Sequence, residues 1–202
     1  MKDPMHITLF LKQDKSNLVA FSSVLHRGFQ VKAMVGCSIK DLLCDQFKVA
    51  EDVLKHRLQT LLLDGKPVDD EETATVKDGT TIALSIALGG LLGASLRKGG
   101  LLADYRSTIT HHEKETTEIT PTEGMVTIKL FNQLAGELGP LFLKKGLWLK
   151  KDDAKAILKN RFDKLRSLII NIEKDGLEIT PDQLSNLNWS EVPGKVLLKA
   201  FV

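Results

Sequence analysis

The clearest fold signal in the chain is the stretch TLLLDGKPVDDEETATVKDGTTIALSIALGG, residues 60–90. Asp64-Gly65 lies between two apolar runs, a pattern typical of a tight β-hairpin, because Gly accepts the positive φ that such turns need. We therefore predict a strand from Thr60, a turn, and a short returning strand that ends at Val68. Alternating apolar residues predict a last strand over residues 80–88. The residues on its apolar face are Ile82, Leu84, Ile86 and Leu88.

The residues before this stretch predict the rest of a small α+β domain. Apolar and polar residues alternate over Met5–Leu11 and over Phe29–Val35, which predicts two strands. Ser38, with Asp41 three residues later, is typical of a helix start. The buried face of that helix is expected to consist of Ile39, Leu42, Leu43 and Phe47. The predicted order is two strands, a helix and three strands.

Residues 60–90 resemble the second half of ubiquitin-like domains. The shared features are a Gly65-Lys66 turn, an acidic loop at residues 69–72, a last strand and a terminal Gly89-Gly90. Over residues 5–90 the resemblance implies a ubiquitin-like β-grasp fold. That superfamily includes protein modifiers, sulfur carriers and simple binding modules, so the resemblance leaves these roles open. The chain as a whole resembles an uncharacterised bacterial protein family.

The chain departs from the modifier pattern after Gly89-Gly90, where a processed modifier would end. An apolar, glycine-rich run follows, and then a polar stretch that extends to residue 124. We therefore predict a β-grasp domain over residues 1–90, and a Gly-rich crossing segment with a polar linker over residues 91–124.

A second, small mixed α+β domain is predicted over residues 125–202. A strand is expected at residues 125–130, followed by a helix that Gly139-Pro140 ends. Asp152 or Asp153 is expected to start a further helix. The apolar face of that helix is Ala154, Ile157, Leu158, Phe162 and Leu165. A hairpin turn is predicted at Asp175-Gly176 and a closing strand over residues 195–202. The sequence shows no internal repeat of the first half.

Composition places the chain among ordinary globular proteins. Of its 202 residues, 43% are hydrophobic and 27% are charged, and 28 basic residues nearly balance 26 acidic ones. Two cysteines cannot form a disulfide framework, which favours reduced thiols and a cytoplasmic location. We find no secretory signal, and the longest apolar stretch is shorter than the ~20 residues that a membrane span needs.

Sequence signals for chemistry are absent. The chain has no dinucleotide-binding or phosphate-binding glycine loop, no zinc-protease helix motif and no serine-nucleophile turn. His111-His112 are adjacent, whereas metal ligands on a helix need wider spacing. Nucleic-acid sites usually add interleaved aromatics or Arg forks, and a lysine group with only Trp148 and Arg161 nearby predicts a solvated face and no nucleic-acid site. Its members are Lys144, Lys145, Lys150, Lys151, Lys155 and Lys159. We therefore expect no enzyme activity, cofactor, metal or small-molecule substrate.

The sequence favours a non-enzymatic, cytoplasmic protein-interaction or assembly module. Its contact surface for a protein partner or for self-association would be the apolar, glycine-rich region. The residues predicted to bind a partner are Leu84, Ile86, Leu91, Leu92 and Leu96. A second interpretation is that the same region packs within the molecule.

The alternative function is a precursor of a ubiquitin-like modifier or sulfur carrier. Glycines lack a Cβ, so a Gly-Gly tail can thread a narrow activating-enzyme or protease channel. Cleavage would follow Gly90 or Gly100, and the candidate processing residues are Gly89, Gly90, Gly99 and Gly100. A competing interpretation is that these glycines only permit tight turns and close packing.

Overall fold

The computed structural model describes residues 3–14, 17–86, 89–100, 102, 106, 108–111, 120–160 and 162–201. The chain is α+β, with helices and mixed β-sheet. It divides into two compact units. Unit 1 consists of Met1–Phe29 together with Gly139–Val202, and unit 2 is Gln30–Leu138.

Unit 2 has five strands and three helical segments in the described part of the chain. The strands are β2 (Phe29–Val35, whose first residue belongs to unit 1), β3 (Thr60–Leu63), β4 (Lys66–Pro67), β5 (Thr81–Ser85) and β6 (Thr122–Leu130). The helical segments are π1 (Asp41–Gln46), π2 (Val53–Arg57) and α2 (Gly90–Ser95). The strands lie in the order β4-β3-β5-β6-β2. Strand β3 is antiparallel to β4 and β5, whereas β5 and β6 are parallel.

Local signals account for these elements. The β3–β4 turn has positive φ at Asp64 (50°) and Gly65 (81°), as the Asp-Gly dipeptide predicts. The apolar residues of the helix predicted from Ser38 are buried as expected. That helix is π1, whose turns are wider than α-helical turns. The wide turn at its end closes with a bond from the Phe47 amide to the Leu42 carbonyl, five residues back.

Unit 1 also has five strands in its described residues. They are β1 (Met5–Leu11), β7 (Leu147–Lys150), β8 (Ile169–Lys174), β9 (Leu177–Glu178) and β10 (Lys195–Phe201). Its helices are α1 (Asn17–Arg27), α4 (Lys151–Lys155), π3 (Ala156–Asn160), α5 (Phe162–Arg166) and α6 (Pro181–Ser185). Helix α3 (Gln133–Lys145) contains the boundary between the two units. The strand order is β7-β10-β1-β8-β9. Strands β1 and β10 are parallel, and the β7–β10, β1–β8 and β8–β9 pairs are antiparallel.

The two units share one sheet pattern, and this corrects the expectation of no internal repeat. Each has an edge hairpin, a central parallel pair and a further strand beside that pair. The chain also runs twice through the order strand, helix, glycine, strand, helical segments, hairpin, strand, with helix α6 added before the last strand of the second pass. Gly28 after α1 and Gly146 after α3 have φ of 114° and 113°. The repeat was missed because it preserves burial and turn geometry more than residue identity.

The compact units differ from the predicted domains 1–90 and 125–202. Strand β1 does not stay with the strands that follow it, because it pairs with β8 and β10. Strand β6 pairs with β5 and so belongs with residues 30–85. Backbone pairing across distant parts of the chain determined this division, and local patterns do not encode it.

Two helix predictions also need correction. Helix α1 lies where we expected only a polar stretch and a connection, although Ala20, Phe21, Val24 and Leu25 have helical spacing and are buried. Helix α3 continues through Gly139-Pro140, which we expected to end it. A Cβ at Gly139 would lie 2.9 Å from the Leu25 side chain, so packing against α1 explains that glycine.

Candidate functional site

The predicted partner-binding residues do not share one surface. Leu84 is only 1% exposed, and β5 places it beside Leu61 on β3 and Leu130 on β6. It is therefore a core residue, which corrects its predicted contact role. The expected alternation fails because Ala83 and Ser85 are buried as well, as in a central strand covered on both faces.

The other predicted contact residues follow β5. We define residues 89–111 as the glycine-rich segment, and Ile86 lies just before it. Leu91, in helix α2, is 79% exposed, the largest exposed fraction among the exposed large apolar residues of the described chain. Ile86 and Leu96 are partly buried. Helix α2 contains Leu92, but its side chain lies outside what the structure describes, as do residues 87–88 of the predicted strand.

The two glycine pairs differ in their surroundings. Gly89 and Gly90 are exposed, and a Cβ at either would meet nothing within 4 Å. Gly99 donates its amide to Asp69 Oδ1 at 3.2 Å. Gly100 donates its amide to the Arg97 carbonyl at 3.2 Å, so the second pair belongs to a folded turn. The first pair is open to solvent, whereas the second is held by hydrogen bonds.

A buried arginine fastens the glycine-rich segment to the acidic loop, residues 69–72. The Arg106 side chain is 3% exposed and forms a two-bond pair with Asp69: Nη1 to Oδ2 at 2.9 Å and Nη2 to Oδ1 at 2.5 Å. Such planar, charge-assisted pairs are among the stronger protein hydrogen bonds. The arginine therefore joins two parts of the chain that are distant in sequence.

The same guanidinium also binds the end of helix α2. Arg106 Nε donates to the Ser95 carbonyl at 2.7 Å, and Nη2 donates to the Arg97 carbonyl at 3.2 Å. Nη1 donates to Thr110 Oγ1 at 2.7 Å. Carbonyls at a helix end lack partners within the helix, and a cation there interacts favourably with them. Arg106 thus fixes the last turn of α2 as well as the acidic loop.

Three further bonds hold the glycine-rich segment. Lys98 Nζ donates to Glu71 Oε2 in a mostly buried ion pair, and the Lys98 amide donates to the Gln59 carbonyl at 2.7 Å. The His111 amide donates to the Pro67 carbonyl of β4 at 2.8 Å. The segment is therefore bonded to β4, to the acidic loop and to the residue before β3.

Sequence reasoning identified the glycine-rich segment and the acidic loop but not the arginine that joins them. Arg106 and Asp69 lie 37 residues apart, and no periodic pattern connects them. An isolated arginine in a polar stretch is usually solvated, so its burial had no sequence signal. His112, the second of the two adjacent histidines, lies outside the described residues.

The described residues include no obvious reactive group. Burial, and then the nearby Asp41 carboxylate, raise the pKa of the Cys37 thiol. Burial, followed by Glu51, raises the pKa of the Cys44 thiol. Both thiols are therefore poor nucleophiles near neutral pH. No group of three or more potential metal ligands occurs in the described ranges.

No helix among the described residues combines the length and apolar character that crossing a membrane requires.

Comparisons with known proteins return no relative. No family model matches the chain. No curated protein matches it, and neither does any solved structure.

Proposed function

We propose that the protein is a non-enzymatic, cytoplasmic protein-interaction or assembly module that presents Leu91 to a protein partner. The observation that carries this proposal is a leucine that is 79% exposed on a helix fixed by a 3% exposed arginine. A single exposed leucine is common and by itself says little. The more informative feature is the buried Arg106 guanidinium that holds its helix and pairs with the partly exposed Asp69.

Helix α2 has only six residues, too few for a stable isolated helix in water. Its position therefore depends on Arg106, Asp69 and the bonds of Lys98. Removing the Arg106 guanidinium from water is costly, and its hydrogen bonds to Asp69 and to the end of α2 offset that cost. Holding Leu91 in one place lowers the entropy lost when a partner binds, which supports a binding role.

The shared sheet pattern supports a ubiquitin-like β-grasp as the fold of unit 2. Helical segments lie between β2 and β3, a hairpin follows, and a central parallel pair completes the sheet. In this proposal β6 takes the place that the resemblance over residues 5–90 assigns to β1. Unit 1 repeats the pattern, so we extend the proposal to it, with β1 and β10 as the central pair.

A photo-crosslinking amino acid at position 91, in the full chain in its own host, tests the binding role. We expect it to capture a defined protein, and mass spectrometry would identify that protein. The matched control is position 177, since Leu177 is 73% exposed on β9 of unit 1. The purified partner should then bind Leu91→Ser protein at least tenfold more weakly than it binds the unaltered chain. It should bind Leu177→Ser protein as tightly as the unaltered chain. Equal capture from both positions, or none from position 91, would contradict the proposal.

One observation favours the second candidate, a modifier or carrier precursor. Gly89 and Gly90 are exposed, whereas Gly100 lies in a hydrogen-bonded turn, so cleavage after Gly90 requires only that the first turn of α2 opens. The intact mass of protein isolated from its own host distinguishes the candidates. A mass near 22.4 kDa supports the binding module, whereas a fragment that ends at Gly90 supports the precursor.

A further inference from the structure

The two repeats of the chain each place their first strand in the unit that holds the hairpin of the other repeat. We define repeat 1 as residues 5–85, which run from β1 to β5, and repeat 2 as residues 122–201, which run from β6 to β10. Strand β1 of repeat 1 lies in unit 1, between β10 and β8 of repeat 2. Strand β6 of repeat 2 lies in unit 2, between β5 and β2 of repeat 1, so it is not next to the hairpin as β1 is. Neither unit is therefore built from one repeat.

The first strands of the two repeats carry the same apolar pattern. Residues 7–11 read ITLFL and residues 126–130 read VTIKL, so that apolar side chains alternate around a shared threonine. The apolar residues at alternate positions are 0–4% exposed in both strands. Each strand joins a parallel partner at the centre of its sheet. A central position in either unit thus accepts a strand of this pattern from another part of the chain.

Unit 1 is assembled from two separate pieces of chain, residues 1–29 and 139–202. Pairing of β1 holds the pieces together, as do side-chain contacts such as Phe10 stacked on Phe201 at 5.4 Å. The Lys12 amide donates to the Leu168 carbonyl at 2.8 Å, and Arg27 pairs with Asp153 at 2.7 Å. These contacts would be the same if the first piece came from a second copy of the chain.

A glycine, Gly28, lies where the chain leaves the first piece of unit 1 and enters unit 2. Gly28 has φ of 114°, and its amide donates to the Val24 carbonyl at 2.9 Å to end α1. The unit boundary follows one residue later, between Phe29 and Gln30. A glycine can change φ at little steric cost, which suits a hinge at which the preceding helix and strand swing away together.

We infer that unit 1 can be completed in trans, with β1 and α1 supplied by a second copy of this chain. The product is a dimer in which β1 and α1 of each copy occupy unit 1 of the other. Exchange of an identical element preserves the native contacts and changes only the hinge, so it is a low-cost route to a dimer. This inference does not depend on the Leu91 surface.

Cysteine pairs on parallel strands test the inference, in a background of Cys37→Ser and Cys44→Ser. Ile7 on β1 and Leu198 on β10 are register partners and are both fully buried. An Ile7→Cys chain and a Leu198→Cys chain are refolded together from urea and then oxidised. Because each chain carries one cysteine, the two cysteines meet within a folded product where β1 of one chain lies beside β10 of the other. We expect the fraction of chains in this heterodimer to rise about tenfold for a tenfold rise in total chain concentration, while the dimer is the minor species.

Two controls make the result decisive. The double variant Ile7→Cys/Leu198→Cys, refolded at low concentration, must form its disulfide within one chain, which establishes that the geometry permits the bond. The matched pair Ile82→Cys and Ile128→Cys lies on parallel strands β5 and β6 within the continuous unit 2. Mixed chains of that pair should give no heterodimer. The inference fails if Ile7→Cys and Leu198→Cys chains stay separate at every concentration while the double variant bonds. It also fails if both mixtures crosslink equally.

Discussion

Unit 1 and unit 2 have the same sheet pattern, yet they fill its centre with different strands. In unit 2 the central pair consists of β5 and β6. Strand β5 lies beside the hairpin and also follows it directly in the chain. In unit 1 the pair is β10 and β1, and β1 lies beside the hairpin although it precedes it by more than a hundred residues. The pattern of a sheet and the identity of its strands are therefore separate properties of this molecule.

The units agree where local chemistry decides the structure. Both hairpins turn at Asp-Gly, with φ of 50° and 81° at Asp64 and Gly65 and of 52° and 82° at Asp175 and Gly176. They differ where long connections decide it. After its hairpin, unit 1 has helix α6 with a capping box between Thr180 and Gln183. The glycine-rich segment fastened by an arginine belongs to unit 2. The two units therefore share their turn chemistry and differ in their connections.

The largest expected effect separates the stabilities of the two units. Leu9 on β1 and Ile128 on β6 are both fully buried in central strands. Alanine at either position should cost about 2–5 kcal/mol through lost burial and a cavity. Hydrogen exchange should then speed up in β8 and β10 for Leu9→Ala, and in β3 and β5 for Ile128→Ala. If both variants accelerate exchange equally in both units, the division into two units is wrong.

The next effect concerns the fastening of the glycine-rich segment. Arg106→Ala should cost about 1–3 kcal/mol, because charged hydrogen bonds are lost while Asp69 is still partly in water. Proteolysis within residues 89–100 should accelerate by about tenfold or more. The control is Arg57→Ala, which breaks an exposed two-bond pair with Glu137 in the same unit. It should cost under about 1 kcal/mol. If both variants are cleaved within residues 89–100 at the same rate, Arg106 does not position α2.

The turns give a smaller effect that should be equal in the two units. Ala at Gly65 or Gly176 meets nothing within 4 Å, so only the positive φ opposes it. Each substitution should cost about 1 kcal/mol, measured as a shift in the urea midpoint. A clear loss for one variant and none for the other would show that the hairpins are not equivalent.

The smallest effect is the response of unit 2 to alkaline pH. The chain's two cysteines lie in this unit, and burial raises the pKa of both thiols above their ordinary value. The unfolded chain therefore ionises first as the pH rises, so the stability of unit 2 should fall above about pH 8.5. Hydrogen exchange at pH 7 and pH 9.5, corrected for the intrinsic rate, measures this loss. In Cys37→Ser/Cys44→Ser protein the loss should disappear, and a loss that persists would assign it to other groups.

Sequence patterns predicted many local elements because their signals are local. Strands Met5–Leu11 and Phe29–Val35 have the predicted bounds, and both Asp-Gly turns are confirmed. The buried face of the helical region 151–166 is confirmed as well. The candidate site was predicted only in part, since Leu91 is exposed but Leu84 is in the core. Alternation along one strand cannot reveal that a second layer covers its other face.

The sequence by itself determined where strands, turns and helix starts lie, because dihedral preferences, caps and apolar spacing act over a few residues. Tertiary structure alone decided that β1 joins β8 and β10, that β6 joins β5, and that Arg106 meets Asp69. These contacts join residues tens to hundreds of positions apart. Strands β1 and β6 carry the same apolar pattern, so either is compatible with a central position. Which of them occupies it depends on the whole packed arrangement, and no short stretch of sequence contains that information.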